Sequence, residues 1–283
     1  MADHTDSQLS SILQAARYSG QSFLSLCRDL QQNHFNFQHE PELMRVMYQL
    51  NRIYPSLAAP GDRLRQLRDN VRQNLRATRG SFPIGTIIPD VWIHPKTGVP
   101  YAMPLIVVHY DKSGVFLLRQ NALPVQKEYV MTTNYHYRES IIDEYLNDPN
   151  GYVGGCSAEL LEVVSPVQIR DDPYGPMTTT FFLPSPSNLG IHIPNGSPTP
   201  QESVWEYFKD CTDDPNRGCA KRDFQDPMGR KRYCWLRGAG AGQCTTSDWL
   251  TQIGCAWCLA PGLGIQKVGV NKEESLIIAC AIR

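Results

Sequence analysis

The chain has 283 residues and a formal net charge of −1. A chain of this length can bury a hydrophobic core without disulfides or metals. Its near-neutral charge excludes a protein-wide field that would attract nucleic acid or an acidic membrane. No apolar run reaches the roughly 18 residues that a membrane-spanning helix requires, and residues 1–6 lack the features of a signal peptide. We therefore expect synthesis in a cytoplasm without a signal peptide, and no membrane span.

The first part of the chain carries apolar side chains at three- and four-residue intervals, which is typical of helices. Stripes of this kind run through residues 9–30, 43–50 and 61–80, and Gly20 interrupts the first of them. Each helix has a single apolar face, so each needs a surface to pack against. We predict a helical bundle or arm over residues 1–80.

After residue 80 the apolar pattern changes to short runs that are typical of β-strands. The predicted strands are 86–88, 91–93, 105–110, 115–118, 178–183, 264–270 and 275–282. The sequence Asp111-Lys-Ser-Gly114 predicts an antiparallel hairpin between two of them. We also expect a short helix over 140–146, a helical turn over 203–209 and an extended, Pro-rich segment over 184–200. The chain is thus predicted to be an α+β protein, with the N-terminal helical segment followed by a mainly antiparallel, β-rich and loop-rich domain over 81–283.

Six of the nine cysteines lie in a Cys-rich region from Cys211 to Cys258. Three states stay open for them: free buried thiols, which are favoured first, then disulfides, then zinc ligands. Only Cys255 and Cys258 have zinc-ligand spacing, because the other pairs are too widely separated for a zinc knuckle. Gly238–Gly242 lacks the Lys-Ser/Thr of a phosphate-binding loop and is interpreted as a flexible turn. No cofactor is predicted.

Cys156 is the best candidate for a nucleophile. Gly154-Gly155-Cys156-Ser157 precedes a segment with helical character, and the start of a helix stabilises a thiolate. His192 follows within Asn188-Leu-Gly-Ile-His-Ile193. The arrangement resembles the NlpC/P60 cysteine peptidases, which place a Cys at a helix start and a His on a following strand. This resemblance implies a cysteine hydrolase using Cys156 and His192, although it covers only residues 154–193 and has Asn188 at the family's His position. The alternative is a small, buried Cys in a Gly-rich turn.

Two basic tracts are candidates for binding a polyanion or a protein. The third predicted helix carries six arginines: Arg63, Arg65, Arg68, Arg72, Arg76 and Arg79. The second tract, residues 217–237, combines basic and aromatic side chains, a pattern that can bind single-stranded nucleic acid. Aspartates interrupt both tracts, and arginine also favours protein interfaces. An interface or a solvated surface is therefore favoured over contact with nucleic acid.

Charged residues make up 19% of the chain, which also has 21 Gly and 21 Pro, whereas ordinary globular proteins have about 25% charged residues. This composition suits a chain that buries surface against other chains, and a neutral monomer with polar loops is the alternative. No pattern supplies a complete catalytic set. We expect a non-enzymatic structural subunit of a larger assembly, for example a virus or phage particle, with other protein subunits as partners in a homo- or hetero-oligomer. The alternatives are the cysteine hydrolase and a nucleic-acid-binding adaptor that uses the Arg-rich helix 61–79.

Overall fold

The structure is a computed structural model that describes residues 60–112, 114–129, 137–171, 175–191, 202–211, 219–245, 252–261 and 264–283. It confirms the predicted α+β class, because a long helix precedes strands that pair mainly in antiparallel fashion. The helices are α1 (Pro60–Ser81), α2 (Ile141–Asn147) and α3 (Ala158–Val163). The strands are β1 (Ile87–Ile88), β2 (Val91–Ile93), β3 (Pro100–Ala102), β4 (Leu105–Tyr110), β5 (Val115–Arg119), β6 (Gln126–Lys127), β7 (Val167–Arg170), β8 (Pro176–Thr179), β9 (Cys234–Thr245), β10 (Gln252–Ala260), β11 (Gly264–Gly269), β12 (Glu274–Leu276) and β13 (Ala279–Ile282). Within this part of the chain, no helix combines the length and apolar character that crossing a bilayer demands.

The helix α1 confirms the third predicted helix and packs on the β-rich part of the chain. Leu64 and Leu67 lie on one of its faces and are fully buried. The helix bends at Asn74, whose φ of −161° and ψ of 94° are extended rather than helical. Asn74 then caps the second part, because its Oδ1 accepts the Ala77 amide at 3.1 Å. The helices predicted before residue 60 lie outside the described residues, so the bundle or arm stays a prediction.

The first sheet has the order β1-β4-β5-β13, and each neighbouring pair is antiparallel. The strands β4 and β5 form the predicted hairpin, and its turn is closed by the Gly114 amide donating to Asp111 Oδ1 at 2.8 Å. The register shifts after Val107, so His109 pairs with Phe116. A shift of this kind is a β-bulge, which bends a strand and redirects its side chains.

The second sheet has the order β11-β10-β9-β12-β6 and contains one parallel pair, β12 with β9. The glycine run Gly238–Gly242 lies inside β9, so the predicted flexible turn is wrong. Ala239 and Gly240 pair with Ala256 and Cys255 of β10. Residues on both sides of the run also pair with β10, and this holds the glycines extended although they do not favour strands themselves.

Two predicted strands have different bounds in the structure. The strand predicted over 275–282 is divided between the two sheets, because β12 ends at Leu276 and β13 begins at Ala279. The strand predicted over 178–183 ends at Thr179. Apolar periodicity reports burial rather than hydrogen bonding, so it does not reveal where a buried segment passes from one sheet to another.

The short helices predicted along the β-rich part are present. The helix predicted over 140–146 is α2, with Ser140 as its N-cap: Ser140 Oγ accepts the Asp143 amide at 3.1 Å. The turn predicted over 203–209 is a single 3₁₀ turn, Glu206–Phe208. The remaining 3₁₀ turns are Tyr137–Glu139, Val153–Gly155, Ser187–Leu189 and Ala220–Arg222.

A single hydrophobic cluster joins α1, α2, α3 and both large sheets. The largest fully buried side chains include Trp92 and Trp235, and also Arg119 and Arg237. A buried arginine is stable only when its charge and its donors are matched. The surroundings of these two arginines therefore identify the parts of the interior where polar chemistry is concentrated.

Candidate functional site

Cys156 lies between the 3₁₀ turn Val153–Gly155 and α3, whose N-cap is Ser157. Its thiol donates to the Tyr152 carbonyl oxygen at 3.5 Å. Burial raises the pKa of the Cys156 thiol to about 11, although the positive charge of Arg119 acts in the opposite direction. The thiol is therefore protonated near neutral pH, whereas a nucleophilic Cys reacts as the thiolate.

The partners that a hydrolase would need are not assembled in the described residues. His192, the predicted base, lies outside them. Asn188, which stands at the family's His position, is buried and engaged elsewhere: its Oδ1 accepts the Ser185 amide at 2.9 Å, and its Nδ2 donates to the Ser203 carbonyl at 3.2 Å. Catalysis by Cys156 and His192 stays a prediction, and the burial of the thiol argues against it.

Next to Cys156 the interior holds a charged cluster that the sequence analysis did not predict. Arg119 is fully buried and donates from Nη1 to Asp90 Oδ2 at 2.6 Å and from Nε to Tyr152 Oη at 2.7 Å. It also donates to the Met103 carbonyl oxygen. These bonds tie β5 to the segments before β2, β4 and α3, so the cluster has the properties of a structural junction. Its members are single polar residues separated by 29 and 33 positions, and no local pattern signals them.

Two arginines of α1 attach the helix to α3. Arg65 Nε lies 2.9 Å from Glu162 Oε2, and Arg68 Nη1 lies 2.7 Å from Glu162 Oε1. One carboxylate therefore pairs with two guanidinium groups. Surface pairs of this kind contribute about 0–1 kcal/mol each, so they orient the helix more than they stabilise it.

The other four arginines of α1 divide into two kinds. Arg63 stacks on the Phe82 ring, with 5.4 Å from its guanidinium carbon to the ring centroid, and Arg79 forms an ion pair with Glu206. By contrast, Arg72 and Arg76 are exposed, and neither forms an ion pair with another residue of the described part of the chain. Of the six predicted interface or polyanion-binding candidates, these two are the most accessible to a partner.

The second basic tract is largely neutralised within the chain. Arg222 and Arg237 are buried. The other described cations of the tract form ion pairs with nearby aspartates: Lys221 with Asp210, Lys231 with Asp223, and both Arg230 and Arg232 with Asp226. Little of the charge in this tract is left to attract a polyanion.

The described cysteines have two different states. Cys211 and Cys219 form a disulfide, so the first-favoured expectation of free thiols is wrong for this pair, which the fold brings to a Cα separation of 6.0 Å. Cys234 and Cys258 are free and buried, and burial raises the pKa of both thiols. Cys255 lies on β10. Among the described residues, no group of three or more His, Cys, Asp or Glu is placed to hold a metal.

Two carboxyl groups influence each other near the start of α2: Asp143 in its first turn and Asp171 after β7. Asp171 is buried and accepts a bond from Arg138 Nε at 2.8 Å. Asp143 Oδ1 accepts a bond from Asn147 Nδ2 at 3.2 Å. Burial, and secondarily the charge of Asp171, raises the pKa of the Asp143 carboxyl to about 7. The protonation of Asp143 therefore changes within the physiological pH range.

Several exposed apolar side chains lie close together in the sequence, in and after the outer strand β1 of the first sheet. Of the seven large apolar side chains exposed in the described residues, three lie between positions 87 and 99: Ile87, Ile93 and Val99 have exposed fractions of 40%, 45% and 42%. We call residues 87–99 the edge segment. It consists of β1, β2 and the turn that leads to β3.

Comparison of the chain with protein-family models, with curated proteins and with solved structures finds no match.

Proposed function

We propose that the protein is a non-enzymatic structural subunit of a larger protein assembly, for example a virus or phage particle. The observation that carries the proposal is the edge segment, which exposes Ile87, Ile93 and Val99. Exposed apolar side chains that occur singly need no explanation, but a concentration of them favours a protein contact. The partner would be another protein subunit, and we take a second copy of this chain as the first candidate.

The sequence of the edge segment favours contact through side chains rather than through strand addition. Pro89 follows β1 directly, and proline has no amide hydrogen to donate to an added strand. The strand β1 has only two residues. Ile93, by contrast, is adjacent to the fully buried Trp92 on β2, so the core fixes the direction in which Ile93 projects. A rigid apolar side chain of this kind contributes to an interface with little loss of conformational entropy.

The state of Cys156 supports the non-enzymatic proposal over the hydrolase. Its thiol is protonated at neutral pH because burial raises its pKa to about 11, and its hydrogen bond is to a backbone carbonyl rather than to a base. The adjacent polar groups, Arg119 and Asp90, are themselves buried and paired. This arrangement suits a packed interior better than a reaction centre.

The proposal is tested by Ile93→Asp, with Met228→Asp as the matched control. Met228 is also exposed but lies outside the edge segment, in the turn between Asp226 and Arg230. Light scattering coupled to size exclusion should give the wild type and Met228→Asp a mass above the 31.9 kDa of one chain, whereas Ile93→Asp should move toward the monomer. If Ile93→Asp assembles as well as the wild type, the edge segment is not the interface.

A second candidate is the nucleic-acid-binding adaptor, which the exposure of Arg72 and Arg76 favours. These two exposed side chains lie on either side of the bend at Asn74, and phosphate contacts require accessible cations. The test is anisotropy of a fluorescein-labelled oligo-dT strand, with Lys96→Ala/Lys112→Ala as the charge-matched control. Arg72→Ala/Arg76→Ala should abolish a salt-sensitive binding that the control retains. Equal binding by both double variants would exclude this helix as the site.

A further inference from the structure

A cavity of about 340 Å³ opens between the first sheet, β7 and the segment 202–205. This volume lies at the lower end of the range of small-molecule pockets, roughly 300–1,000 Å³. Its lining combines aromatic rings with a buried ion pair: His109, Phe116, Phe182, Trp205, Glu202 and Arg237. None of these residues belongs to the edge segment, so the cavity is independent of the proposed assembly contact.

The buried ion pair of the lining, Glu202 with Arg237, is satisfied by hydrogen bonds within the protein. Glu202 Oε2 accepts from Arg237 Nη2 at 2.5 Å and from Ser185 Oγ at 3.0 Å, and its Oε1 accepts the Arg170 amide at 3.0 Å. Burial opposes ionisation of Glu202, but the charge of Arg237 and these hydrogen bonds outweigh it and lower the pKa of the carboxyl. The buried pair is therefore ionised and neutral as a unit. This pair therefore does not itself attract an ion.

The aromatic part of the lining is a wall of rings that are inclined to one another. The bulge after Val107 sets His109 opposite Phe116, with 5.9 Å between the ring centroids and 34° between the ring planes. Phe116 and Trp205 have centroids 6.1 Å apart and planes inclined by 31°. Phe182 meets Phe116 with its edge, at 82°. The rings of each neighbouring pair are inclined by 31–34°, and together they form an aromatic wall against which a planar molecule can pack.

His109 supplies the polar group that this wall presents. Its Nδ1 lies 3.4 Å from Glu206 Oε1, and Glu206 is held by its ion pair with Arg79. Burial lowers the pKa of His109, so the imidazole is neutral at neutral pH. Nδ1 is buried and makes no hydrogen bond, but the nearby negative charge of Glu206 favours the tautomer with the proton on Nδ1, which leaves Nε2 as a hydrogen-bond acceptor. The side chain is 19% exposed and lines the cavity, so Nε2 is the nitrogen that a ligand can reach.

We propose that this cavity binds a small, uncharged, planar molecule that stacks on the Phe116–Trp205 wall and donates one hydrogen bond to Nε2 of His109. Phenols and indoles have this chemistry. Of the four charged side chains in the lining, Glu202 and Arg237 neutralise each other, and Asp111 lies 3.8 Å from Arg283 Nη2; the fourth is Arg170. The lining therefore offers little charge to hold an ion.

The test compares indole with indene, which has the same shape but no N–H donor, by equilibrium dialysis against the full chain. The wild type should bind indole saturably and about tenfold more tightly than indene, the factor that one net hydrogen bond supplies. His109→Phe keeps a ring in the wall but removes the acceptor, so it should bind both molecules equally. The matched control is His94→Phe, since His94 lies on the hairpin of β2 and β3; it should behave as the wild type.

Two results would overturn the proposal: no saturable binding of indole to the wild type, or equal affinity of the wild type for indole and indene. If His109→Phe does not fold, the affinities of the wild type for indole and indene still test the proposal. Trp205→Leu then locates the site, because removing this ring from the wall should lower the affinity for both molecules by the same factor. Unchanged binding by a folded Trp205→Leu variant would place the ligand elsewhere and contradict the proposal.

Discussion

The two faces of strand β2 border regions that differ in burial and in polarity. Trp92 points into the interior, where it donates to the Tyr152 carbonyl at 2.9 Å and forms a β-bridge to Cys156. The next residue, Ile93, points outward from the edge segment. The interior region contains charge, a thiol and a buried arginine, whereas the outer region is apolar and accessible. In the interior, Arg119 is hydrogen-bonded to Asp90 and Tyr152, whereas the edge segment exposes apolar side chains.

This contrast shows that chemically suggestive residues need not mark the functional surface. A Cys at a helix start suggests catalysis, yet Cys156 sits within a packed junction that is held by Arg119 and Asp90. Ile93 and Val99 belong to no recognisable functional motif, yet their side chains are exposed to a partner. The first variants test how much the ion pair and hydrogen bonds of the interior contribute to the unfolding free energy. The last variant tests whether the edge segment forms a protein contact.

The largest effect is expected from Arg119→Met. The substitution leaves Asp90 buried without its partner, and breaking a buried ion pair in this way costs about 3–5 kcal/mol of unfolding free energy. Urea denaturation measures this loss. Arg72→Met, at an exposed position, should change stability by less than about 0.5 kcal/mol. The double variant Arg119→Met/Asp90→Leu should recover part of the loss, and a small loss in the single variant would show that the pair does not hold the junction.

A smaller effect is expected from reducing the Cys211–Cys219 disulfide, which closes a short loop. Loss of such a bond lowers the unfolding free energy by about 2–3 kcal/mol. The measurement is urea denaturation with and without dithiothreitol, and Cys211→Ser/Cys219→Ser is the control on which reductant should have no further effect. Alkylation of both thiols in the untreated native protein would contradict the bond.

The pH dependence of stability tests the Asp143 carboxyl. Its pKa is about 7 in the folded protein, against an ordinary value of 3.8, so the folded state keeps a proton that the unfolded state has lost. Stability from this group is present at acid pH and falls as pH rises through 3.8 toward about 7. Asp143→Asn, which cannot ionise, should gain stability relative to the wild type across that interval. A difference between the two proteins that is independent of pH would contradict the shift.

Cys156→Ala should have only a modest effect. Removing a small, partly buried side chain is expected to cost about 1 kcal/mol. We expect the biological role to be retained, because burial keeps the thiol protonated. Iodoacetamide at neutral pH should modify native Cys156 slowly, since its thiolate is scarce. Rapid, selective alkylation of Cys156, together with loss of function in a folded alanine variant, would contradict this prediction and support the cysteine-hydrolase hypothesis.

The sequence predicts the local elements better than the groups they bring together. The helix α1 and the hairpin of β4 and β5 follow from periodicity and turn residues within a few positions. Gly238–Gly242 is misinterpreted because its strand pairing is imposed by neighbours rather than by its own preference. The pairs Arg119–Asp90 and Arg237–Glu202 join residues 29 and 35 positions apart. Such contacts depend on tertiary packing, and a pattern read along one chain contains no signal for them.

The most direct test of the account is the mass of the native protein in solution, measured by sedimentation equilibrium over a range of micromolar concentrations. The account predicts a species heavier than the 31.9 kDa single chain, which Ile87→Lys/Ile93→Asp shifts to the monomer without lowering its unfolding free energy by more than about 0.5 kcal/mol. A wild-type protein that sediments as a 31.9 kDa monomer at every concentration, indistinguishable from the double variant, would contradict it.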